Sequence, residues 1–197
     1  MNELDANFWQ NRYEQGDTAW DLGMPSPPLA QYIDQLKNRN IKILIPGAGN
    51  SYEAEYLYHH GFKQTYIIDL ADAPLKNFKS RVPAFPIDQL IQGNFFDHHE
   101  KYDLILEQTF FCAINPALRK AYVKHMAELL NPDGILAGLL FDCEFEKEGP
   151  PFGGSANDYR PMFSQYFELK QFNAATNSIP PRAGREIFIE CRKKNEE

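Results

Sequence analysis

The sequence predicts an α/β fold built on a doubly wound, mostly parallel sheet of seven strands with an antiparallel edge strand. Strand and helix patterns alternate from residue 41 onward, which is typical of parallel sheets covered by helices on both faces. The first strand is an apolar run that leads into a Gly-x-Gly turn and a helix. The last two strands are joined by a short segment, which favours an antiparallel hairpin over a helical crossover.

Seven short runs have strand composition. They are mostly apolar, as expected of parallel strands that are buried on both faces. The predicted strands span residues 41–45, 66–69, 87–92, 102–107, 135–141, 167–172 and 186–191. The connection over 173–185 contains Pro180 and Pro181 and has no helical pattern. The final two strands are therefore predicted to form the hairpin at one edge of the sheet.

Three helices are predicted between these strands. The first covers about 51–60 and ends at Gly61, the second is short and covers 72–78, and the third ends at about residue 130. Asn115 and Pro116 supply an N-cap and a first-turn proline for the third helix. Apolar residues then follow at helical spacing, at Leu118, Tyr122, Met126 and Leu129.

The length of 197 residues suits one domain with a sizeable core and is too short for two ordinary ones. We therefore expect a single domain over 1–197, with a Rossmann-like core over 41–197. Residues 1–40 and 142–161 are rich in aromatic and turn residues and poor in strand pattern. Such segments commonly cover a site at the carboxyl ends of the strands, so residues 1–40 are predicted to form an N-terminal lid.

Composition excludes several classes of function. The formal net charge is −7, and the one dense basic run, at 192–194, is expected to be a solvated tail instead of a nucleic-acid face. No apolar run is long enough to span a bilayer, and the first residues lack the order of a signal peptide. Three widely spaced cysteines suit free thiols in a reducing compartment. We expect a cytoplasmic protein without membrane or nucleic-acid partners; its oligomeric state is not indicated.

The run from Gly47 to Asp69 predicts a nucleoside site. Gly47 and Gly49 form the turn after the first strand, and Asp69 ends the second strand 20 residues after Gly49, where a carboxylate holds ribose hydroxyls. Two plainer interpretations remain open at this stage: an ordinary strand–helix turn, and Asp69 as a helix cap.

Glu53 bears on which nucleoside is bound. The third glycine of the dinucleotide fingerprint is missing, and Glu53 and Glu55 follow the turn. These carboxylates would repel a pyrophosphate by about 1 kcal/mol or more. S-adenosylmethionine contains no phosphate, and its sulfonium suits an acidic, aromatic pocket. It is therefore the predicted cofactor, with an NAD-dependent oxidoreductase as the less favoured alternative.

Other polar clusters carry less information. Asn94 and Phe95 follow the third strand and are placed to flank adenine, although two core phenylalanines at 95 and 96 are an equally good interpretation.

The run 97–100 contains two histidines between acidic residues, but the side chains of consecutive residues diverge, whereas metal ligands must converge. No metal site is predicted. No Gly-x-Ser-x-Gly motif is present, so hydrolase chemistry has no support.

At this point the chain resembles the thiopurine and halide–thiol S-methyltransferase family of class I methyltransferases. The resemblance runs from Phe8 to about Cys191. It rests on an N-terminal aromatic frame, the glycine turn and a Thr-Phe-Phe-Cys-Ala-Ile run, in the segments 9–13, 16–21, 45–49, 93–96, 108–116, 149–152 and 182–186.

The resemblance implies a role for each matching position. Three aromatic residues of the lid would fold over the cofactor, and the glycine turn would contact its methionine part. Asp69 would bind the ribose hydroxyls, and Asn94 and Phe95 would flank the adenine. The implied cofactor-binding residues are Trp9, Tyr13, Trp20, Gly47, Gly49, Asp69, Asn94, Phe95, Gln108 and Arg119. Arg119 and Arg185 would be cations on the substrate side.

The chain departs from the family at several of these positions. Tyr13 stands where halide–thiol members usually have tryptophan, Asn94 where aspartate is common, and Gln108 where tyrosine is frequent. Glu107 also replaces a common aspartate. The amide of Asn94 can still accept a hydrogen bond from the adenine amino group, and the changes at Glu107 and Gln108 concern the acceptor more than the cofactor.

The predicted reaction is methyl transfer from S-adenosylmethionine to a small soft nucleophile, such as a thiol, a halide or a thiopurine sulfur. Transfer is an in-line displacement on an activated carbon, so alignment supplies much of the acceleration. No single residue is expected to act as an essential base. A protein that binds the cofactor for regulation without catalysis is the alternative from a different functional class.

Overall fold

A computed structural model describes residues 4–147 and 149–195 of the chain. It contains a seven-stranded sheet with the strand order β3-β2-β1-β4-β5-β7-β6. The strands are β1 (Ile43–Pro46), β2 (Thr65–Asp69), β3 (Leu90–Gln92), β4 (Tyr102–Gln108), β5 (Leu130–Phe141), β6 (Phe167–Ala174) and β7 (Glu186–Lys193). β1 to β5 are parallel, and β7 runs antiparallel to both β5 and β6.

The fold class is confirmed. The hairpin of β6 and β7 lies at the sheet edge as predicted, and β7 inserts between β5 and β6. The strand that runs against the others is therefore second from the edge. β1 lies between β2 and β4, and this reversal of strand order opens a crevice at the carboxyl ends of the strands.

Six α-helices accompany the sheet in the described residues. They are α1 (Ala6–Glu14), α2 (Pro27–Gln35), α3 (Tyr52–His59), α4 (Asp72–Arg81), α5 (Arg119–Leu129) and α6 (Ala156–Ser164). The predictions for α3, α4 and α5 are confirmed within a few residues. Asn115 caps a short 3₁₀ turn over Pro116–Leu118, and this turn leads directly into α5.

The structure differs from expectation in five places. Helices α1, α2 and α6 were not predicted, because their segments showed only aromatic and turn residues. The third strand is shorter than predicted, since a 3₁₀ turn occupies Ile87–Gln89. β5 begins at Leu130 instead of 135, with an irregularity in its pairing to β4 near its start.

The core has one layer on each face of the sheet. On one face, α5 and α6 cover the sheet with buried residues such as Tyr122 and Phe163. On the other, α2, α3 and α4 contribute Leu29, Leu57 and Phe78. Successive residues of β4 alternate between the two layers, so Gln108 shares the face of α2 and α3.

No helix in the described part of the chain is both long enough and apolar enough to cross a bilayer.

Candidate active site

A cavity of ≈ 1870 Å³ lies at the carboxyl ends of the strands, under the N-terminal segment. The turns after β1 and β3 and the ends of β2, β4 and β5 form its floor. Most of the predicted site residues line this one cavity: Trp9, Tyr13, Trp20, Gly47, Gly49, Asp69, Asn94, Phe95, Gln108 and Arg185.

The glycine turn forms the tightest part of the floor. Gly47 and Gly49 have φ of +56° and +54°, a conformation that is costly for a residue with a β-carbon. A β-carbon on Gly47 would lie 2.2 Å from Cδ2 of Phe110, and one on Gly49 would lie 2.9 Å from the Tyr13 hydroxyl. The floor of the cavity at this turn is therefore bare backbone.

Asp69 connects the glycine turn to β2. One carboxylate oxygen accepts from the Gly49 amide at 3.1 Å, and the other accepts from the Ala71 amide at 2.9 Å. Burial raises the pKa of Asp69 to about 6, although these backbone hydrogen bonds oppose the rise. Asp69 does not cap α4, whose N-cap residue is Ala71, so the helix-cap interpretation was wrong.

The side chain of Gln10 caps the N-terminus of α4. Its side-chain oxygen accepts from the amides of Asp72 and Ala73 at 3.1 and 3.0 Å. α1 is thereby fixed at the start of α4, beside Asp69. Nothing in the sequence indicates this bond, because its partners are separated by 62 residues or more.

Aromatic rings of the N-terminal segment stack edge to face above the glycine turn. The ring of Trp20 meets Trp9 at a centroid distance of 5.7 Å and Tyr13 at 5.6 Å. The guanidinium of Arg12 lies 4.6 Å from the Trp20 ring centroid. Burial raises the pKa of the Tyr13 hydroxyl above its ordinary value, so the hydroxyl stays protonated at neutral pH.

Two carboxylates tie the segment between α1 and α2 to the floor. Glu53 is buried and accepts from the Ser26 amide at 2.8 Å, and Asp21 accepts from the side chain of Asn50. Burial raises the pKa of Glu53. Glu53 lines the cavity, close to where the sequence predicted that it would repel a pyrophosphate. Its carboxylate also anchors Ser26, the N-cap residue of α2.

Asn94 and Phe95 lie at the end of the cavity below β3. Asn94 is exposed, and its side-chain oxygen accepts from the Phe96 amide at 3.1 Å. Phe95 is 3% exposed, and Phe110 and His125 contact it edge to face. Phe95 thus belongs to the core, as the second interpretation held, and it also reaches the cavity wall; its contact with adenine stays a prediction.

Gln108 has an unpaired amide on the cavity floor. Its side-chain oxygen and nitrogen are both buried, and neither has a hydrogen-bond partner among the described residues. Buried amides are normally paired, and an unpaired one costs about 1–3 kcal/mol. Since the residue lines the cavity, a bound polar molecule is the natural partner for both atoms.

Glu107 is a structural residue of the site that the sequence did not single out for a role. Its carboxyl group is completely buried, accepts from the amides of Phe110 and Phe111 at 2.7 and 3.0 Å, and pairs with the Tyr122 hydroxyl. Burial raises the pKa of Glu107 to about 7. These bonds shape the turn that presses Phe110 against Gly47.

The structure corrects the placement of Arg119, which is not among the described residues that line the cavity. Its guanidinium is directed to a loop, where it donates to the carbonyls of Phe152 and Gly153 at 3.0 Å each. It also lies 4.7 Å from the Phe111 ring centroid. This geometry makes Arg119 a clamp on the loop after β5, because both of its terminal nitrogens donate to that loop.

The far end of the cavity, beyond β4, is aromatic and cationic. Arg182 lies over the ring of Phe141 at 5.4 Å, and Arg185 lies over Phe145 at 5.1 Å. Arg182 pairs with the buried Glu186. Arg185 is exposed and has no carboxylate partner within residues 4–147 and 149–195, so its charge is available to a bound anion.

Two reactive groups near the site have structural partners. The Cys112 thiol donates to the Thr109 carbonyl at 3.2 Å, and burial raises the pKa of Cys112 to about 12, so the thiol stays neutral. In the acidic run 97–100, His98 contacts the Tyr102 hydroxyl at 2.7 Å. Across the described residues, no three His, Cys, Asp or Glu side chains group as a metal site.

Comparison with known proteins decides the family. The sequence profile of the thiopurine S-methyltransferase (TPMT) family matches residues 4–194. The chain belongs to this family of S-adenosylmethionine-dependent methyltransferases. It is 28% identical to a probable thiol methyltransferase 2 of Arabidopsis thaliana over 99% of this chain and 88% of that one. It is also 26% identical to thiocyanate methyltransferase 1 of Brassica oleracea, over 98% and 87% of the two chains.

Solved structures agree on the fold. The 1,6-didemethyltoxoflavin-N1-methyltransferase of Burkholderia thailandensis, crystallised with S-adenosylhomocysteine, superposes with a TM-score of 0.71 at 15% identity, covering 96% of this chain and 87% of that one. A TehB-like methyltransferase from Corynebacterium glutamicum gives 0.65 at 18% identity, over 96% and 97%. The cofactor prediction is confirmed, and the oxidoreductase alternative has no support.

The bare backbone of the glycine turn yields a first prediction. In the variant Gly47→Ala, the new β-carbon displaces the Phe110 ring and raises the floor of the cavity. We expect the affinity for S-adenosylhomocysteine, measured by isothermal titration calorimetry, to fall by more than about tenfold, or 1.4 kcal/mol. Gly61→Ala is the matched control, because Gly61 also has positive φ but has no atom within 4 Å of a β-carbon. Equal affinities in the two variants would contradict the prediction.

The buried carboxyl of Glu107 yields a second prediction. Its pKa rises from 4.5 to about 7 on folding, so the fold favours the protonated form. The contribution of Glu107 to stability is therefore fully present below about pH 4.5 and declines as the pH rises to about 7, by at most about 3 kcal/mol. In the variant Glu107→Gln, the part of the pH-dependent loss of stability that comes from Glu107 should be absent.

Urea unfolding at pH 5 and pH 7.5 measures the effect. The wild type should lose more stability than Glu107→Gln over this interval, while the exposed Glu146→Gln should keep the wild-type decline. The same decline in all three proteins would show that Glu107 titrates normally in the fold.

Proposed function

We propose that this protein transfers the methyl group of S-adenosylmethionine to the sulfur of a small thiol that reacts as its thiolate. The observation that carries the proposal is the form of the cavity. One end combines a glycine turn, a carboxylate and an aromatic lid, and the other end combines phenylalanine rings with an unpaired arginine.

The residues present fit the cofactor. Asp69 is placed to accept from the ribose hydroxyls, and the bare backbone at Gly47 and Gly49 allows the methionine part to approach closely. The unpaired amide of Gln108 offers an NH2 donor group and a carbonyl acceptor, which match the carboxylate and the ammonium of an amino acid. Asn94 and Phe95 would flank the adenine.

The lid residues suit a sulfonium. Trp9, Tyr13 and Trp20 present π faces and edges above the floor, and such rings attract a cation by about 0.5–2 kcal/mol. The same rings keep water away from the reacting atoms. We infer that residues 1–40 act as a lid within a single functional domain.

When bound, the cofactor supplies a methyl group that is already activated for in-line displacement. The chain then has to hold the acceptor in line and keep it ionised. An ordinary thiol with a pKa near 8.5 is a few per cent thiolate at neutral pH, and the unpaired charge of Arg185 would stabilise that anion. Arg119 takes part only indirectly, by holding the carbonyls of Phe152 and Gly153 in the cavity wall.

A sulfur acceptor is also supported by the relatives, which are named as thiol, thiocyanate and thiopurine methyltransferases. No histidine is among the described residues that line the cavity, the Cys112 thiol stays neutral, and Glu144 is the carboxylate beside Phe141 and Phe145. Such a site suits a thiolate better than an alcohol, whose proton would have to be removed during the reaction.

The composition of the chain supports proposals about its partners and its cellular compartment. The formal net charge of −7 gives no support for a nucleic-acid partner, and a small molecule is the expected acceptor. All three cysteines are free, and Cys112 and Cys191 are buried, which supports a reducing compartment such as the cytoplasm.

A methyl-acceptor screen with labelled S-adenosylmethionine tests the proposal. We expect label transfer to small thiols, slower transfer to halides and none to the matching alcohols. The rate with a thiol should rise with pH up to the pKa of that thiol, because the thiolate is the nucleophile. Thiocyanate and a thiopurine complete the panel.

Two outcomes would contradict the proposal. Transfer to the alcohols at the rate of the thiols would show that the acceptor is not selected as a soft anion. Tight binding of S-adenosylhomocysteine without transfer to any acceptor would favour a regulatory protein that binds the cofactor without catalysis.

A further inference from the structure

We propose that Arg182 is a positioning residue that latches the N-terminal lid to the acceptor end of the cavity. The inference rests on the proposed function only in that the lid covers the cofactor. Arg182 is 8% exposed and lies in a 3₁₀ turn over Pro180–Arg182, just before β7.

The guanidinium of Arg182 joins two parts of the chain. One nitrogen donates to the backbone carbonyl of Trp20 at 2.9 Å, and the other pairs with a carboxylate oxygen of Glu186 at 3.3 Å. Glu186 opens β7 and is itself buried. The planar fork of an arginine can serve both partners at once, which a lysine ammonium does less well.

Trp20 is the residue through which the lid is organised. Its ring packs edge to face with Trp9 and with Tyr13 and lies under the guanidinium of Arg12, so a shift of its backbone would disturb the packing of all three side chains. Tyr13 in turn reaches the glycine turn, where its hydroxyl occupies the space of a Gly49 side chain.

The bond from Arg182 is the one hydrogen bond that joins residues 15–26 to residues 167–195 in the described chain. The other links of this segment run to the floor, through Asp21 with Asn50 and Ser26 with Glu53. Without Arg182, residues 15–26 would keep their links to the floor but would have no hydrogen bond to residues 167–195 in the described chain.

Opening the lid on the acceptor side removes one partner from a buried charge. Arg182 would keep Glu186 but lose the Trp20 carbonyl, and a charged group held in a buried place is costly to leave underpaired. The latch therefore favours the closed lid. Because Arg182 also lies over Phe141 in the acceptor end, it links closure of the lid to the shape of the acceptor end.

Tryptophan fluorescence reports on this latch directly, since both tryptophans of the chain, Trp9 and Trp20, lie in the lid. In Arg182→Met, we expect acrylamide to quench this fluorescence more strongly than in the wild type. The Kd for S-adenosylhomocysteine should rise about tenfold, the change expected for one charge-assisted hydrogen bond. Neither measurement requires turnover, so the result is independent of the acceptor.

Arg119→Met is the matched control. Arg119 is equally buried and also donates to two carbonyls, but in the loop at Phe152 and Gly153. It should lower thermal stability in a similar way without changing the quenching of the lid tryptophans. Arg182→Lys keeps a positive charge beside Glu186 and is therefore expected to fold. It should show an increase in tryptophan quenching between that of the wild type and that of Arg182→Met.

Wild-type quenching and wild-type affinity in Arg182→Met would overturn the proposal. If that variant does not fold, Arg182→Lys decides: unchanged quenching and affinity contradict the latch, and an increase in both quenching and Kd supports it. An equal increase in quenching in Arg119→Met would also overturn it, because the effect would then follow from general loosening.

Discussion

The arrangement of the site depends on the absence of side chains at the turn after β1. Two side chains approach Gly47 and Gly49 to distances that leave no room for a β-carbon: Phe110 from the turn after β4 and Tyr13 from α1. The carboxylate of Asp69 accepts from the Gly49 amide and holds the same turn to β2. The floor of the cavity, the wall beside β4 and the lid are therefore all fixed against one short piece of backbone.

This constraint explains why buried carboxyl groups surround the turn. Asp69 holds the turn to β2, Glu53 holds the start of α2, and Glu107 shapes the turn that carries Phe110. Burial raises the pKa of each of them, which costs stability at neutral pH. In return, backbone amides that would otherwise be unpaired inside the protein are satisfied, and the site is held rigid before any ligand enters.

Sequence patterns were sufficient for the core of the fold because the relevant interactions are local. Apolar runs of four to seven residues define β1, β2 and β4, Gly61 ends α3, and the capping pair Asn115 and Pro116 marks the approach to α5. Helix α1 was missed because its aromatic residues line the cavity and none of them is buried in the core. Helix α6 was missed although Tyr159 and Phe163 are spaced four residues apart and are buried in the core. Their helical state depends on tertiary contacts such as that of Gln10 with the start of α4.

The distinction between local patterns and tertiary contacts also applies to the residues of the site. Asp69 and the two glycines could be placed in the cavity from spacing alone, because the βαβ unit fixes their geometry. Arg119 could not, since a guanidinium on that turn of helix can reach either the cavity or the carbonyls of Phe152 and Gly153, and only the packed structure decides. The contacts of Arg182 and Glu53 with the lid join residues 162 and 27 positions apart, which no local pattern reveals.

The central claim is that the aromatic lid and the glycine turn together form the methyl-donor pocket. A crystal structure of the protein with S-adenosylhomocysteine tests this most directly. We expect the ribose hydroxyls within hydrogen-bond distance of Asp69, the amino-acid end at the amide of Gln108, and Trp9, Tyr13 and Trp20 closed over the ligand. A ligand bound away from Asp69, or a lid that does not contact it, would contradict the account.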